Sequence, residues 1–321
     1  MKKILLMFML IGLSVCLSSC SGGAKEGASS DPNAISMAFT VQDLTNPVWG
    51  ATAENLKQIC ASNNVNLTVV DCAGNSANQI TQMENFIQKG LDVIAIHPAE
   101  INALEPIMQK ARDAGIKVFC WDEDTDSADV SWLVDNFEFG KAIGGEAAKW
   151  INEKLGGNAE VAVVEYSVYP NLIKRADGIV AAITEQAPNA KIVIRDSAIN
   201  AAEGMPMAES FLQSYPNIKV VACIGDGSAI GVNEAVKAAG KSTPDFGIFA
   251  ADATEEACDK IVKPEEPFRA SVSLGTPAQL ASQVYDICMK LVKGEPIDAK
   301  IYREFKVINE SNVADYMAGK I

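Results

Sequence analysis

Met83-Glu84-Asn85-Phe86-Ile87-Gln88-Lys89-Gly90-Leu91-Asp92-Val93-Ile94-Ala95-Ile96-His97-Pro98 contains one complete unit of the fold. Ile80, Met83, Phe86 and Ile87 recur at helical spacing, and Gly90 is placed to end that helix, because glycine accepts a left-handed backbone without a Cβ clash. Val93–Ile96 is an unbroken apolar run of strand length. An apolar run without alternation predicts a strand covered on both faces, as in a parallel sheet. Leu104, Ile107, Met108 and Ala111 then predict the next helix, ended by Gly115.

The same unit repeats in both directions. Strands are predicted at 35–41, 67–70, 93–96, 118–121, 131–134, 161–164, 192–194, 220–224, 246–250 and 270–274. Helices are predicted from Trp49 to Ile59, from Ser76 or Ala77 up to Gly90, and at about 139–155, 172–187, 203–214, 228–239, 255–263 and 278–293. Short links between such units imply right-handed crossovers and doubly wound α/β sheets. There are too many strands for one comfortable sheet. The rhythm also breaks at Ser131-Trp132-Leu133-Val134-Asp135-Asn136, where strand follows strand without a helix. That break predicts a first passage between two lobes, a second near Leu274-Gly275-Thr276 and a return near Phe305-Lys306-Val307. The expected N-terminal lobe is 34–134 with 275–305, and the C-terminal lobe is 135–274 with 306–321.

The beginning of the chain is of another kind. Lys2 and Lys3 precede an apolar run from Ile4 to Leu17, then Leu17-Ser18-Ser19-Cys20. This predicts a signal peptide over 1–19, a lipid anchor on Cys20 and a Gly/Ser/Ala-rich tether over 20–33. The soluble part is then expected on the extracytoplasmic face of the cell membrane, attached through the N-terminal lipid only. The net charge of −14 becomes two units more negative without Lys2 and Lys3, which argues against nucleic acid and anionic lipid surfaces. Beyond Cys20, Cys60, Cys72, Cys120, Cys223, Cys258 and Cys288 show no CxxC pair and are expected as mostly free thiols. No metal cluster, phosphate loop or nucleophile elbow stands out, so no cofactor is expected.

Ligands of open α/β sheets bind beyond the carboxyl ends of the strands. The residues found there are Gln42, Asp43, Asn46 and Trp49 after the first strand, and His97 after the third. Asp122, Glu123 and Asp124 come after the fourth, Tyr169 and Asn171 lie after 161–164, and Asp226 and Asp252 come after two later strands. Carboxylates and amides read hydroxyl groups, and aromatic faces cover the C–H side of a sugar ring. The set therefore predicts a sugar or polyol ligand. Three adjacent acids at 122–124 are expected to need solvent or ligand to offset their repulsion.

In order and spacing, these motifs resemble the ribose/galactose-type periplasmic binding proteins. The resemblance rests on Gln42-Asp43-Leu44-Thr45-Asn46-Pro47, on 90–98 followed by Ala103, and on Ala114–Val118 leading to Trp121-Asp122. It continues through Asp135-Asn136 with Gly140, Arg175-Ala176-Asp177-Gly178, Gly225–Gly231 and Ala251-Asp252. It implies a two-lobed clamp with three crossing segments, a monomer, that hands its ligand to an ABC transporter permease. It also implies that sugar-contacting positions fall on Asn46, Trp49, His97, Asp122, Glu123, Ile173, Gly225 and Asp252. Where ribose binders carry two arginines and an asparagine, this chain has Glu123, Ile173 and Gly225. The expected pocket is acidic and free of arginine. Trp121–Asp124 with Asn171 is similar to the rhamnose- and autoinducer-2-binding branch. Other readings are a receptor passing its closed form to a sensor kinase, and a glycosidase using Asp122 and Glu123, which adjacent residues on one loop serve poorly.

Overall fold

The computed structural model describes residues 34–321; the leader, Cys20 and the tether lie outside the described residues. The N-terminal sheet is built from β1 (Ile35–Val41), β2 (Val65–Asp71), β3 (Val93–Ile96), β4 (Lys117–Trp121), β5 (Val130–Leu133) and β11 (Lys300–Tyr302). The C-terminal sheet contains β6 (Glu160–Glu165), β7 (Lys191–Ser197), β8 (Ile218–Cys223), β9 (Gly247–Ala251), β10 (Phe268–Ser273) and β12 (Lys306–Asn309). Their orders are β11-β5-β4-β3-β1-β2 and β12-β10-β9-β8-β6-β7. The two orders match position for position, so each strand of one sheet has an equivalent in the other.

Helices cover both faces of each sheet, as the continuous apolar strands require. In the N-terminal sheet Met37, Phe39 and Trp121 pack under α1 (Pro47–Ser62) and α9 (Pro277–Lys293). The alternate residues Ala38, Ile94, Ile96 and Cys120 pack under α2 (Ser76–Lys89) and α3 (Ile101–Asp113). This is the period-two partition of a strand buried on both sides. In the C-terminal sheet Val161 and Val163 face α4 (Asn136–Lys154) and α5 (Pro170–Gln186). Ala162 and Val164 face α6 (Ala201–Ser214), α7 (Asp226–Ala238) and α8 (Glu255–Ile261). Gly90 caps α2 with φ 63°, the left-handed geometry its position predicts. The six cysteines from Cys60 onward are buried free thiols.

The helices α4 and α5 touch backbone to backbone. A methyl group on Gly140 would collide with the Arg175 carbonyl oxygen, and one on Gly178 with that of Phe137.

Three segments pass between the sheets. Residues 134–135 lead from β5 to α4, residues 274–276 from β10 to α9, and residues 303–305 from β11 to β12. Because β5 and β10 both leave by their carboxyl ends, those ends of the two sheets face each other. β12 reaches its sheet directly from β11 with no helix to turn it, so it enters from the facing edge and pairs antiparallel to β10. β11, β12 and the short α10 (Val313–Met317) were not among the predicted elements. They have only three to five residues each, too few for a periodicity to register.

Candidate functional site

The facing strand ends carry a matched pair of aspartates. Asp122 follows β4 and Asp252 follows the equivalent strand β9. Both adopt left-handed backbone angles, φ 68° for Asp122 and φ 99° for Asp252. The Asp122 N–H donates to Trp132 O at 2.9 Å, and the Asp252 N–H donates to Val272 O at 2.8 Å. Each bond ties the aspartate to the next strand, β5 or β10. A non-glycine residue held at positive φ stores strain that the surrounding structure must enforce, and such residues gather at functional sites. The same strained aspartate at equivalent places in both sheets makes these two places the candidate half-sites.

In the N-terminal half-site Asp122 lies between Arg303 and His97. Its Oδ1 accepts an ion-paired hydrogen bond from Arg303 Nη2, and its Oδ2 is 3.5 Å from His97 Nε2. Arg303 sits over the rings of Trp132 and Trp121, with its guanidinium carbon 4.5 and 5.6 Å from their centroids. Trp121 stacks on His97 at 5.5 Å, and Trp49 meets the imidazole edge-on at 4.5 Å. Trp49 is aimed by the start of α1, where Asn46 Oδ1 accepts from the N–H groups of Val48 and Trp49. Gln42 donates to Pro98 O and joins the loops after β1 and β3. Asp43 closes a turn onto Thr45, whose hydroxyl and N–H hold its carboxyl below the usual range. Glu123 is half-buried; burial, then the charge of Glu100, pushes its carboxyl up.

Buried polar atoms without a partner are rare and call for a cause. Among the described residues they are His97 Nδ1, Trp121 Nε1, Arg303 Nε, Trp150 Nε1 and Asn233 Oδ1. The first three belong to this one cluster, where a ligand or its ordered water would have polar groups to meet.

The C-terminal half-site has a guanidinium as well. Arg175, on α5, donates to Asn136 Oδ1 at 2.9 and 3.0 Å and to Ile224 O at 2.9 Å, and lies over Phe139 at 4.6 Å. Asp252 hangs over the adjacent residue Gly225, where a methyl group would lie 3.1 Å from Oδ2. Burial pulls Arg175 down against the pull of Asp252. Asp252 keeps an exposed surface, although protein is packed closely enough around its carboxyl to push it up against the pull of Arg175. Tyr169 and Asn171 lie at the start of α5, with the Tyr169 ring exposed and 5.7 Å from Tyr166.

Three sequence expectations need correction. Asp226 is fully buried and turned away: Oδ1 accepts from Ser271 Oγ, and Oδ2 from the N–H and hydroxyl of Thr254. Burial, then the neighbouring Asp252 charge, raises its carboxyl well above the usual range. It braces the loop that presents Asp252. Secondly, the site is not free of arginine. Arg303 comes from 181 residues away along the chain, and Arg175 was seen only as part of a helix-start motif. Thirdly, two of the three acids at 122–124 have cations of the chain to offset them as well as solvent, because Arg303 pairs with Asp122 and Lys300 pairs with Asp124 at 2.8 Å. These cations lie on and just after β11.

His97 gives a pH prediction. Burial first, and then the positive charge of Arg303, pull its pKa down to about 3. An unfolded histidine takes up its proton near 6.5. The unfolded chain thus binds more protons between those values. The stability linked to His97 is fully present above pH ~6.5 and falls as the pH drops towards 3, by on the order of 4 kcal/mol. His97 is the single histidine of the chain, so its imidazole NMR signals are unambiguous. They are expected to stay unchanged from pH 8 to 5; a midpoint above 5.5 would contradict the burial argument.

The comparisons with known proteins agree with the two-sheet fold. The model of the family described as periplasmic binding protein domain matches residues 37–296. The ribose import binding protein of Bacillus subtilis is 26% identical over 267 residues, covering 81% of this chain and 85% of that protein. A solved structure from Mycobacterium smegmatis in complex with β-D-fucofuranose is 26% identical, with a TM-score of 0.74 over 89% of this chain and 95% of that one. An ABC transporter solute-binding protein from Bacillus halodurans with bound myo-inositol shares the fold at a TM-score of 0.77 and 22% identity, over 90% of this chain and 99% of the other. Members of this family are binding proteins rather than enzymes. The chain belongs to the periplasmic binding protein domain family, among the sugar- and polyol-binding proteins of ABC transporters.

Proposed function

We propose that this chain captures a small sugar or polyol between its two lobes and delivers it to an ABC permease, without catalysing a reaction on it. The observation that carries this reading is the pair of equivalent strained aspartates, Asp122 and Asp252, one on each facing sheet edge. A ligand with hydroxyl groups on opposite sides satisfies both only when the lobes close, so binding shifts the population towards the closed state. The closing bodies are residues 34–134 with 275–305, and 135–274 with 306–321. Trp49 and Tyr169 are the aromatic walls, with Asn46, His97, Glu123 and Asn171 beside them. The protein acts as a monomer, tethered through Cys20 on the extracytoplasmic side of the membrane.

The test is a thermal-shift screen of residues 34–321 against pentoses, hexoses, deoxysugars and polyols, followed by solution X-ray scattering with the best hit. A ligand at 100 times its dissociation constant adds about 2.7 kcal/mol of stability. At roughly 2–4 °C per kcal/mol for a chain of this size, the melting point is expected to rise by at least 5 °C. The radius of gyration is expected to fall. A bound ligand that leaves the scattering profile unchanged would sink the clamp mechanism.

A further inference from the structure

Each half-site holds an aspartate and a guanidinium, and in the N-terminal one the two form an ion pair. Arg303 has a side chain only 4% exposed, against 32% for Asp122. Its backbone N–H donates to Leu133 O at 2.8 Å and continues the β11–β5 ladder by one residue. Its guanidinium lies over two indole rings, those of Trp121 and Trp132. Backbone register and ring contacts together keep the cation beneath Asp122, so it is not free to swing into solvent. Only one oxygen of Asp122 is taken; Oδ2 stays available beside His97.

We propose that Arg303 sets the charge preference at the Asp122 wall of the cleft: by holding Asp122 in an ion pair it takes that aspartate's free charge out of the cleft, so the cleft favours an uncharged polyhydroxylated ligand over its amino-sugar and sugar-acid analogues. The inference rests on the reading of the cleft as a sugar or polyol site. An unpaired carboxylate would draw an ammonium group to that wall, and an unpaired guanidinium would draw a carboxylate or phosphate. With the two charges joined, neither attraction is available at Asp122. A neutral hydroxyl can still donate to Asp122 Oδ2. Arg303 acts here through Asp122 and is a positioning residue. Its place on the 303–305 crossing has a second consequence. Two residues on, Phe305 meets Phe139 at 5.4 Å, and Phe139 lies under Arg175 of the other half-site. The same crossing segment thus carries one guanidinium and packs against the ring beneath the other.

The experiment is isothermal titration of residues 34–321 with D-ribose, D-galactose, D-glucose and myo-inositol, each beside one amino analogue and one carboxylate or phosphate analogue. The wild-type protein is expected to bind a neutral member at least tenfold more tightly than its charged partners. Arg303→Met is expected to shift the amine-to-neutral affinity ratio at least tenfold towards the amine. Arg303→Lys, which keeps the charge, is expected to retain the neutral preference with weaker binding. Asp122→Asn is the mirror variant, and is expected to shift the ratio towards the acidic analogue by a similar factor. It keeps the question answerable if Arg303→Met does not fold. A wild-type preference for a charged member, or ratios unmoved in both Arg303→Met and Asp122→Asn, would overturn the role of Arg303 while leaving the clamp intact. No binding by any neutral or charged member would overturn the sugar reading itself, and this inference with it.

Discussion

Gly140→Ala is expected to destabilise the protein by about 3 kcal/mol or more, at the upper end of the cost of forcing an extra methyl group into a packed interior. The reason is that the new Cβ would meet backbone, not a flexible side chain. It would overlap the Arg175 carbonyl oxygen and approach the Arg175 Cα to 3.0 Å. To admit it, α4 and α5 must separate along a contact that Gly144 and Gly178 also hold close. Arg175 would move with the helix, away from Asn136 and from Ile224 O. The substitution should therefore lower ligand affinity as well as the melting point. At about 2–4 °C per kcal/mol, the melting point is expected to fall by at least 6 °C. Gly145 provides the control on the same helix, because a methyl group there has no neighbour closer than 3.6 Å. Gly145→Ala should be neutral or slightly stabilising, since alanine is the better helix former. Equal melting points for the two variants would refute the close-contact argument.

Asp252→Ala and Asp122→Ala are expected to separate binding from stability. Each removes a carboxylate facing the cleft, and hydrogen bonds to charged groups contribute about 1.5–3 kcal/mol. Either variant should bind the best neutral ligand roughly 10–150-fold more weakly. Their effects on the unliganded fold should differ. Asp252 has an exposed surface, and alanine keeps the Cβ and with it the same backbone strain, so the melting point should change little. Asp122 holds the buried guanidinium of Arg303, which burial already pulls down to about 9. Breaking a buried pair by removing one partner typically costs about 3–5 kcal/mol. Asp122→Ala should thus lower both affinity and melting point, and Asp122→Ala with Arg303→Met should recover part of the stability without the affinity. If Asp252→Ala retained wild-type affinity, the C-terminal half-site would have to be placed elsewhere.

Much of this could be read from the chain because the signals are local. Gly90 and the 93–96 run show a helix end and a doubly covered strand within seven residues. The missing helix after Leu133 shows where the chain leaves the first sheet. Asp122 and Asp252 stand out because each is the first residue beyond the carboxyl end of its strand. Asn46 stood out by its place after the first strand, and it both caps α1 and aims Trp49. Asp226, three residues past the end of β8, was also read as a strand-end ligand group and yet turns inward, because position after a strand does not say which way a carboxylate points. Ser271 and Thr254 decide that, from two other segments.

The sequence by itself determined the alternating α/β plan, the division into two sheets and the polar residues at their carboxyl edges. Periodicity, caps and strand-end position are properties of neighbouring residues, and they survive without knowledge of the rest of the chain. Only the tertiary structure decided the electrostatics of the site. The run at 122–124 reads as uncompensated acid until β11 is laid beside β5, 176 to 181 residues further on, bringing Lys300 and Arg303 to it. Charge balance depends on distance in space, and a three-residue strand paired by register alone leaves no trace in the local pattern that could announce it.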